Sequence, residues 1–410
     1  MISLDLVQTL AFAGVVLFLG YGMRRLVPPL ARYNIPAPVL GGLLVASAVL
    51  VGHLRGVTLF AFDTTLQTPL QTAFFTTIGF GASVGLLRSG GPLVFVFLVL
   101  SSGVALLQNL AGVVVARALG EAPLLGVLAG SVTLTGGPAT GLAFAPIFEQ
   151  AGVAGAATVA VAAAMAGIVA GGLLGGPLGT LLVQRHRLRV PGIRGAAVRL
   201  PTAANVVEAR IPEPAASTPA GEDVETYSIL KALVAILVAM WIGGWLSRGF
   251  AAAGVTLPAY IGAMLVAALM RNVDDFTGLF GLSQRTLDDL GNVALALFLV
   301  LALMTLELLR LLALAVPLTV ILVVQVALIA WLAYWLVYRL MGRDYEAVVM
   351  SSGFCGFMLG TTANAMANMD ALTQRYGPAP KAFLVVPMVG AFFIDFINAI
   401  MITALVNAFR

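Results

Sequence analysis

Ile35–Ala46 reads IPAPVLGGLLVA and Leu257–Ala268 reads LPAYIGAMLVAA, the same proline-led, glycine-interrupted apolar segment written twice, about 222 residues apart. The correspondence runs outward from there at a nearly constant offset. Phe74–Arg88 ends in GLLR, and its counterpart ends in ELLR at Arg310. Gly120 answers to Gly342, and Gly167 to Gly390. Just after Gly120 and Gly342 come two long Gly/Thr/Ser-rich stretches, AGSVTLTGGPATG (Ala129–Gly141) and SSGFCGFMLGTTANA (Ser351–Ala365). Chance does not hold an offset over such a length, so the chain consists of two copies of one unit.

Of the 410 residues, 60% are hydrophobic and 10% charged, against about 25% charged in a soluble domain. The surface is therefore solvated by the lipid bilayer. Backbone groups in lipid must bond internally, and the long apolar runs show no alternation, which selects helices over a barrel. The fold class is an all-α membrane protein of about ten spans, read near 5–23, 37–54, 68–87, 92–117, 154–183, 228–247, 257–270, 290–309, 316–338 and 383–407. Two stretches, 122–150 and 345–372, are too polar and glycine-rich to face lipid, and each is expected to form a re-entrant hairpin. Asp5 in place of a basic head argues against a cleavable signal, so the first apolar run is expected to stay.

Five spans per unit is an odd number, so the units are expected to lie upside down relative to one another. The positive-inside rule supports the same topology independently. With both termini outside, seventeen of the 22 Lys and Arg fall on the inner side. The domain plan is thus an N-terminal repeat over 1–183, a cytoplasmic linker over 184–227 and a C-terminal repeat over 228–410. The linker, rich in Pro, Ala and charge, has no apolar face.

Several function classes are excluded. There is one cysteine, Cys355, and two histidines; no HExxH, GxSxG or phosphate-binding loop occurs. No enzyme chemistry and no organic cofactor are expected, and a net charge of +4 is no nucleic-acid footprint. Repeated halves with glycine-rich interruptions at equivalent places point instead to the binding site of a transporter.

The candidate binding residues follow from that. Thr133, Thr135, Gly136, Gly137, Thr140 and Gly141 crowd the first hairpin; Gly353, Gly356, Gly360, Thr361, Thr362, Asn364 and Asn368 crowd the second. A hairpin tip frees N–H groups at a half-helix N-terminus, which together with the helix dipole bind carboxylates. Thr and Asn oxygens and free carbonyls suit Na+, a hard cation. Thr135, Gly136, Gly137, Thr140, Gly141, Gly360, Thr361, Thr362 and Asn364 are the expected substrate contacts. Asp395, within AFFIDFINA and one turn before Asn398, is a costly intramembrane carboxylate. With Asn398, Thr133, Asn368 and Asn292 it makes the expected Na+ ligand set. Gln108, Asn109 and Gln325 are read first as polar glue between helices. No Lys or Arg lies at either tip, so a bound dicarboxylate would need helix N-termini and a co-bound cation to neutralise it.

The motifs resemble those of the bacterial sodium/glutamate symporters: AFLVVPMVGAFFIDFINA (Ala382–Ala399), TLTGG (Thr133–Gly137), FFTTIGF (Phe74–Phe80), GNVALALFLVLALM (Gly291–Met304) and AMANM (Ala365–Met369). The resemblance implies two inverted five-span domains with re-entrant hairpins, a homodimer in the bacterial inner membrane, Na+-coupled uptake of L-glutamate and an elevator-type movement. It carries over to the two hairpins, Asn292 and Asp395. The chain departs from the family pattern at Pro138, Ala139 and Ala363, all near the tips. A carrier of another dicarboxylate such as citrate or malate, and a cation/proton antiporter, remain as alternative readings.

Overall fold

The computed structural model describes residues 2–57, 59–190, 224–252 and 259–409. Most of the linker expected at 184–227, residues 191–223, lies outside the described residues. The first helix of the chain, α1 (Leu6–Leu26), opens on a reciprocal cap: Asp5 Oδ1 accepts from the Gln8 amide at 2.8 Å, and Gln8 Oε1 accepts from the Asp5 amide at 3.1 Å. After it come α2 (Pro28–Arg32), α3 (Ala37–Leu54), α4 (Gln67–Gly81), α5 (Val84–Ser89) and α6 (Gly91–Ala118). Next, α7 (Pro123–Val127) runs on through a π-turn at Leu128–Val132, and α8 (Gly137–Gln150) and α9 (Ala156–His186) complete the first half.

The second half holds α10 (Val224–Ala252), α11 (Ala259–Thr277), α12 (Gln284–Met304) and α13 (Leu311–Leu332), the last prolonged by a π-turn to Val337. It continues with α14 (Tyr345–Met358), α15 (Thr362–Tyr376), α16 (Pro380–Met388) and α17 (Ile394–Phe409), with a π-turn at Val389–Phe393 between the last two.

The described residues are all-helical apart from one short parallel pair, β1 (Ile2–Leu4) with β2 (Phe60–Phe62), in which Ile2 faces Phe60. Phe12 packs against the rings of Phe60 and Phe62 at centroid distances of 5.4 and 5.9 Å, tying the pair to α1. Runs of three residues carry no readable period, so nothing in the residue pattern points to this pair.

Among the described residues, seven helices are long and apolar enough to cross a membrane: α1, α3, α6, α9, α10, α12 and α13. The other expected spans fall on shorter or more polar helices, each for a visible reason. α4 has 15 residues, about 23 Å of helix. α11 carries Arg271, Asp274 and Asp275 in its last turns. The last apolar run is divided between α16 and α17 by its π-turn.

The helices sort into two groups. α1, α3, α4, α10, α11 and α12 pack mainly on one another, as do α6 to α9 with α13 to α17, and few contacts join the groups. Within the second group α6 and α7 cross at Gly112 and Gly126, where each glycine faces the other's carbonyl and a Cβ on either would collide with backbone. Where α4 gives way to α5, Asn272 of α11 bridges the break: its Nδ2 donates to the Ala82 carbonyl at 2.9 Å and its Oδ1 accepts from the Val84 amide at 2.9 Å.

The Gly112 crossing yields a paired test. Gly112→Val should destabilise the fold by about 1–3 kcal/mol, the usual cost of forcing volume into a packed contact. Gly103→Val, on the same helix with nothing within 4 Å of its Cβ position, should leave thermal unfolding in detergent unchanged. Equal melting temperatures for the two variants would refute the close crossing.

Candidate functional site

The pair α7–α8 is broken at a glycine. Gly130 takes φ −97° and ψ −132°, outside helical space, so the chain leaves the helix axis inside the π-turn. The break frees polar groups around Ser131, and side chains from two other helices take them up. Asn109 of α6 accepts from the Ser131 amide at 3.0 Å and donates to Ser131 Oγ at 2.8 Å. Asn398 of α17 accepts from Ser131 Oγ at 2.6 Å and donates to the Ser131 carbonyl at 3.0 Å. All three residues are buried. A buried polar group without such a partner costs about 1–3 kcal/mol. Thr133 is satisfied locally, its Oγ1 donating to the Leu128 carbonyl at 2.8 Å.

One residue earlier on α6, Gln108 reaches both helix pairs. Its Oε1 accepts from Thr135 Oγ1 at 2.8 Å, and its Nε2 donates to the Met358 carbonyl at the end of α14 at 3.0 Å. Gln325 of α13 holds α6 from the far side, donating to the Gln108 carbonyl at 2.6 Å. The two tips consequently meet. A Cβ on Gly137, the first residue of α8 with φ +66°, would stand 3.7 Å from the Gly360 carbonyl and 3.9 Å from Thr361 Cγ2. Thr361 is the N-cap of α15, its side chain accepting from the Asn364 amide at 3.4 Å. The N-termini of α8 and α15 therefore converge on one place, beside the carbonyl end of α14.

The second tip rests on α9. Glycines at 167, 171 and 175 bare that helix's backbone; a Cβ on Gly167 would collide with the Leu359 carbonyl, and one on Gly175 with the Asn368 amide. Asn364 Nδ2 donates to the Ile168 carbonyl at 2.7 Å, Asn368 Nδ2 to Gly171 at 2.9 Å and Ser352 Oγ to Gly175 at 2.8 Å. Thr362 Oγ1 donates to the Gly390 carbonyl at 2.8 Å, in the π-turn that precedes Asp395.

Most of the expected residues thus come together. Thr135, Gly136, Gly137, Thr140, Gly360, Thr361, Thr362 and Asn364 sit at or beside the meeting tips, and Gly141 packs behind them against Thr133 and Ala160. Asn368 and Asn398 serve as struts to the tips. Two polar atoms stand out. Asn364 Oδ1 is buried with no hydrogen-bond partner, and the Thr140 side chain, 4% exposed, donates no hydrogen bond among the described residues. Asp395 lies half-buried in the first turn of α17, without an ion pair among the described residues.

Asn292 is not brought to the tips: it is exposed on α12, next to Gly291, which packs on Thr77 of α4. Gln108, Asn109 and Ser131 matter more than their sequence context suggests, since the adjacent pair on one apolar helix is their only signal. No cluster of three His, Cys, Asp or Glu able to hold a metal occurs among the described residues. A cation here would rest on neutral oxygens and at most one carboxylate.

The family model described as sodium/glutamate symporter matches residues 2–378. The sodium/glutamate symporter of Escherichia coli (strain K12) is 40% identical over 403 residues, spanning 98% of this chain and 97% of its own. The sodium/glutamate symporter of Haemophilus influenzae is 40% identical over 400 residues, spanning 96% and 95% respectively.

The Asn109–Ser131–Asn398 network should behave as a unit. Asn109→Ala and Asn398→Ala should each lower the thermal unfolding temperature in detergent, and the double variant should fall well short of the sum, with a coupling of about 0.5–3 kcal/mol. Additive shifts would separate the two asparagines.

Proposed function

The chain belongs to the sodium/glutamate symporter family, and on that ground we propose that it is a secondary active transporter taking up L-glutamate with Na+ across the bacterial cytoplasmic membrane. The observation that carries the reading to particular residues is the meeting of the two tips, with the N-termini of α8 and α15 at Gly137 and Thr361. Each helix N-terminus carries roughly half a positive charge and offers free N–H groups to a carboxylate. The substrate carboxylates sit there, contacted by Thr135, Gly136, Gly137, Thr140, Gly141, Gly360, Thr361, Thr362 and Asn364. The partnerless Asn364 Oδ1 accepts from the substrate ammonium or faces the cation. Na+ is held near the carbonyl end of α14, with Asp395 supplying the negative charge and Thr133, Asn368 and Asn398 shaping the surround. Asn292, exposed on α12, is left out of this set.

The architecture in this proposal is an inverted repeat with α7–α8 and α14–α15 as re-entrant hairpins entering from opposite sides. Element positions support it. α7 and α14 begin at Pro123 and Tyr345, at the spacing of the sequence repeat. Gly120 and Gly342 take left-handed turns, φ +79° and +119°, ahead of the two hairpins. The termini lie outside, the linker is cytoplasmic and the protein is a homodimer. In the elevator movement the group holding both hairpins slides against the group holding α1, α3, α4, α10, α11 and α12. The sparse contact between the two groups favours such a division.

Reconstituted protein should accumulate labelled L-glutamate under an inward Na+ gradient and not under an equal K+ gradient. Unlabelled L-glutamate should compete better than citrate or malate, and the reverse order would reassign the substrate. Thr140→Ala should raise the half-saturating glutamate concentration about fivefold, the worth of one hydrogen bond, and leave Na+ dependence alone. Asp395→Asn should change the Na+ dependence, and a wild-type Na+ curve would remove Asp395 from the ion site.

A further inference from the structure

α1 lies at the edge of the molecule, with Val15, Phe18 and Leu26 pointing away from it at 59, 74 and 83% exposure. Its outer side is nevertheless not a smooth ridge. A groove of 680 Å³ runs along it, with Ala11, Gly14, Phe18, Gly22 and Leu26 on α1 and Leu44 on α3 among its walls. Gly14 and Gly22 leave open space where a side chain would stand, and that space deepens the groove. At the end of α1 the groove adjoins a second hollow of 470 Å³, lined by Tyr21, Arg24, Arg25, Pro28 and Ala31. Phe18 and Tyr21 mark the junction, their rings 6.1 Å apart. Neither Arg24 nor Arg25 makes an ion pair or a hydrogen bond among the described residues. Every Asp and Glu is absent from both linings.

We propose that this composite groove is a binding site for an anionic phospholipid, with an acyl chain along Gly14, Phe18 and Gly22 and the headgroup phosphate on Arg24 and Arg25. The chemistry divides along the length of α1 as a phospholipid does. The trough is apolar, and about the last turn of the helix presents two guanidiniums suited to bidentate phosphate contact. Basic residues at the cytoplasmic end of a membrane-spanning helix attract anionic lipid headgroups, and the proposed topology puts Arg24 and Arg25 on that side. A second copy of the chain fits less well, since a self-complementary contact along α1 would bring two arginine pairs towards the same surface with no acid in either lining to answer them.

The test uses the full-length protein in detergent, titrated with dioleoyl phosphatidylglycerol or dioleoyl phosphatidylcholine and examined by native mass spectrometry for retained lipid and oligomeric state. The wild type should retain phosphatidylglycerol in preference to phosphatidylcholine. Arg24→Gln and Arg25→Gln should each weaken that retention about fivefold, from the usual contribution of one basic residue at a charged membrane surface. Gly22→Leu fills open space rather than packed space, so it should fold normally and weaken retention of both lipids. Equal retention of the two lipids by the wild type, or unchanged phosphatidylglycerol retention in the arginine variants, would overturn the site. A Gly22→Leu variant that dissociates into monomers with its lipid retention intact would assign the groove to a second copy instead.

Discussion

In hydrocarbon no water completes a broken helix, so each break in the backbone must be closed by a side chain or another strand of protein. That requirement governs the centre of this molecule. The chain leaves helical geometry at Gly130, among buried residues, and again between α14 and α15, where Leu359 and Gly360 are buried and Thr361 is half-buried. Two adjacent residues of α6 answer both. Asn109 closes the first break at Ser131, while Gln108 ties Thr135 to the end of α14. Remove those amides and the tips lose the fixed point that brings them together. The rest of the second helix group is arranged to keep α6 in place: Gln325 grips its backbone from one side, and α7 crosses it at the Gly112–Gly126 contact on the other.

The two tips are supported by different chemistry. The tip of α7–α8 offers backbone groups, and the helix beside it, α17, supplies the amide of Asn398. At the tip of α14–α15 the roles reverse. There the tip supplies the amides of Asn364 and Asn368, and α9, stripped to glycine, supplies carbonyls. The glycines of α9 act through what they leave out. With any side chain at 167 or 175 the tip could not approach closely enough for those amides to reach the backbone. Either partner of a hydrogen bond can carry the side chain, so the two tips reach the same closure by opposite means.

Legibility in the sequence followed the range of the interaction. The apolar helices and the two glycine- and threonine-rich stretches that break them are local patterns, and each was readable from composition and spacing. Asn364, Thr361 and Gly137 were readable as tip residues for the same reason. The pairing of Gln108 with Met358 spans 250 residues and leaves no periodic trace, so its sequence could suggest only polar glue. Asn292 shows the opposite error. A polar residue in an apolar helix looks functional, but α12 leaves Asn292 exposed while it packs the neighbouring Gly291 on Thr77. The β1–β2 pair was too short to show a period, and the π-turns of α13 and α16 interrupt helices without any change in hydrophobicity.

Charge balance at the tips is the remaining constraint on the proposed cycle. Two helix N-termini offset roughly one negative charge between them, and no Lys or Arg belongs to either tip. Glutamate brings two carboxylates and one ammonium, and Asp395 adds a further carboxylate in the neighbouring helix. The dipoles can answer the substrate's net charge but not that of Asp395 as well. A cation beside Asp395 is then a condition for the loaded site to be near neutral, and a near-neutral load is the one that can cross low-dielectric surroundings at least cost. On this argument the coupling of Na+ to substrate needs no separate device. In the proposed site it follows from pairing one carboxylate with a substrate whose charge is otherwise answered by helix ends.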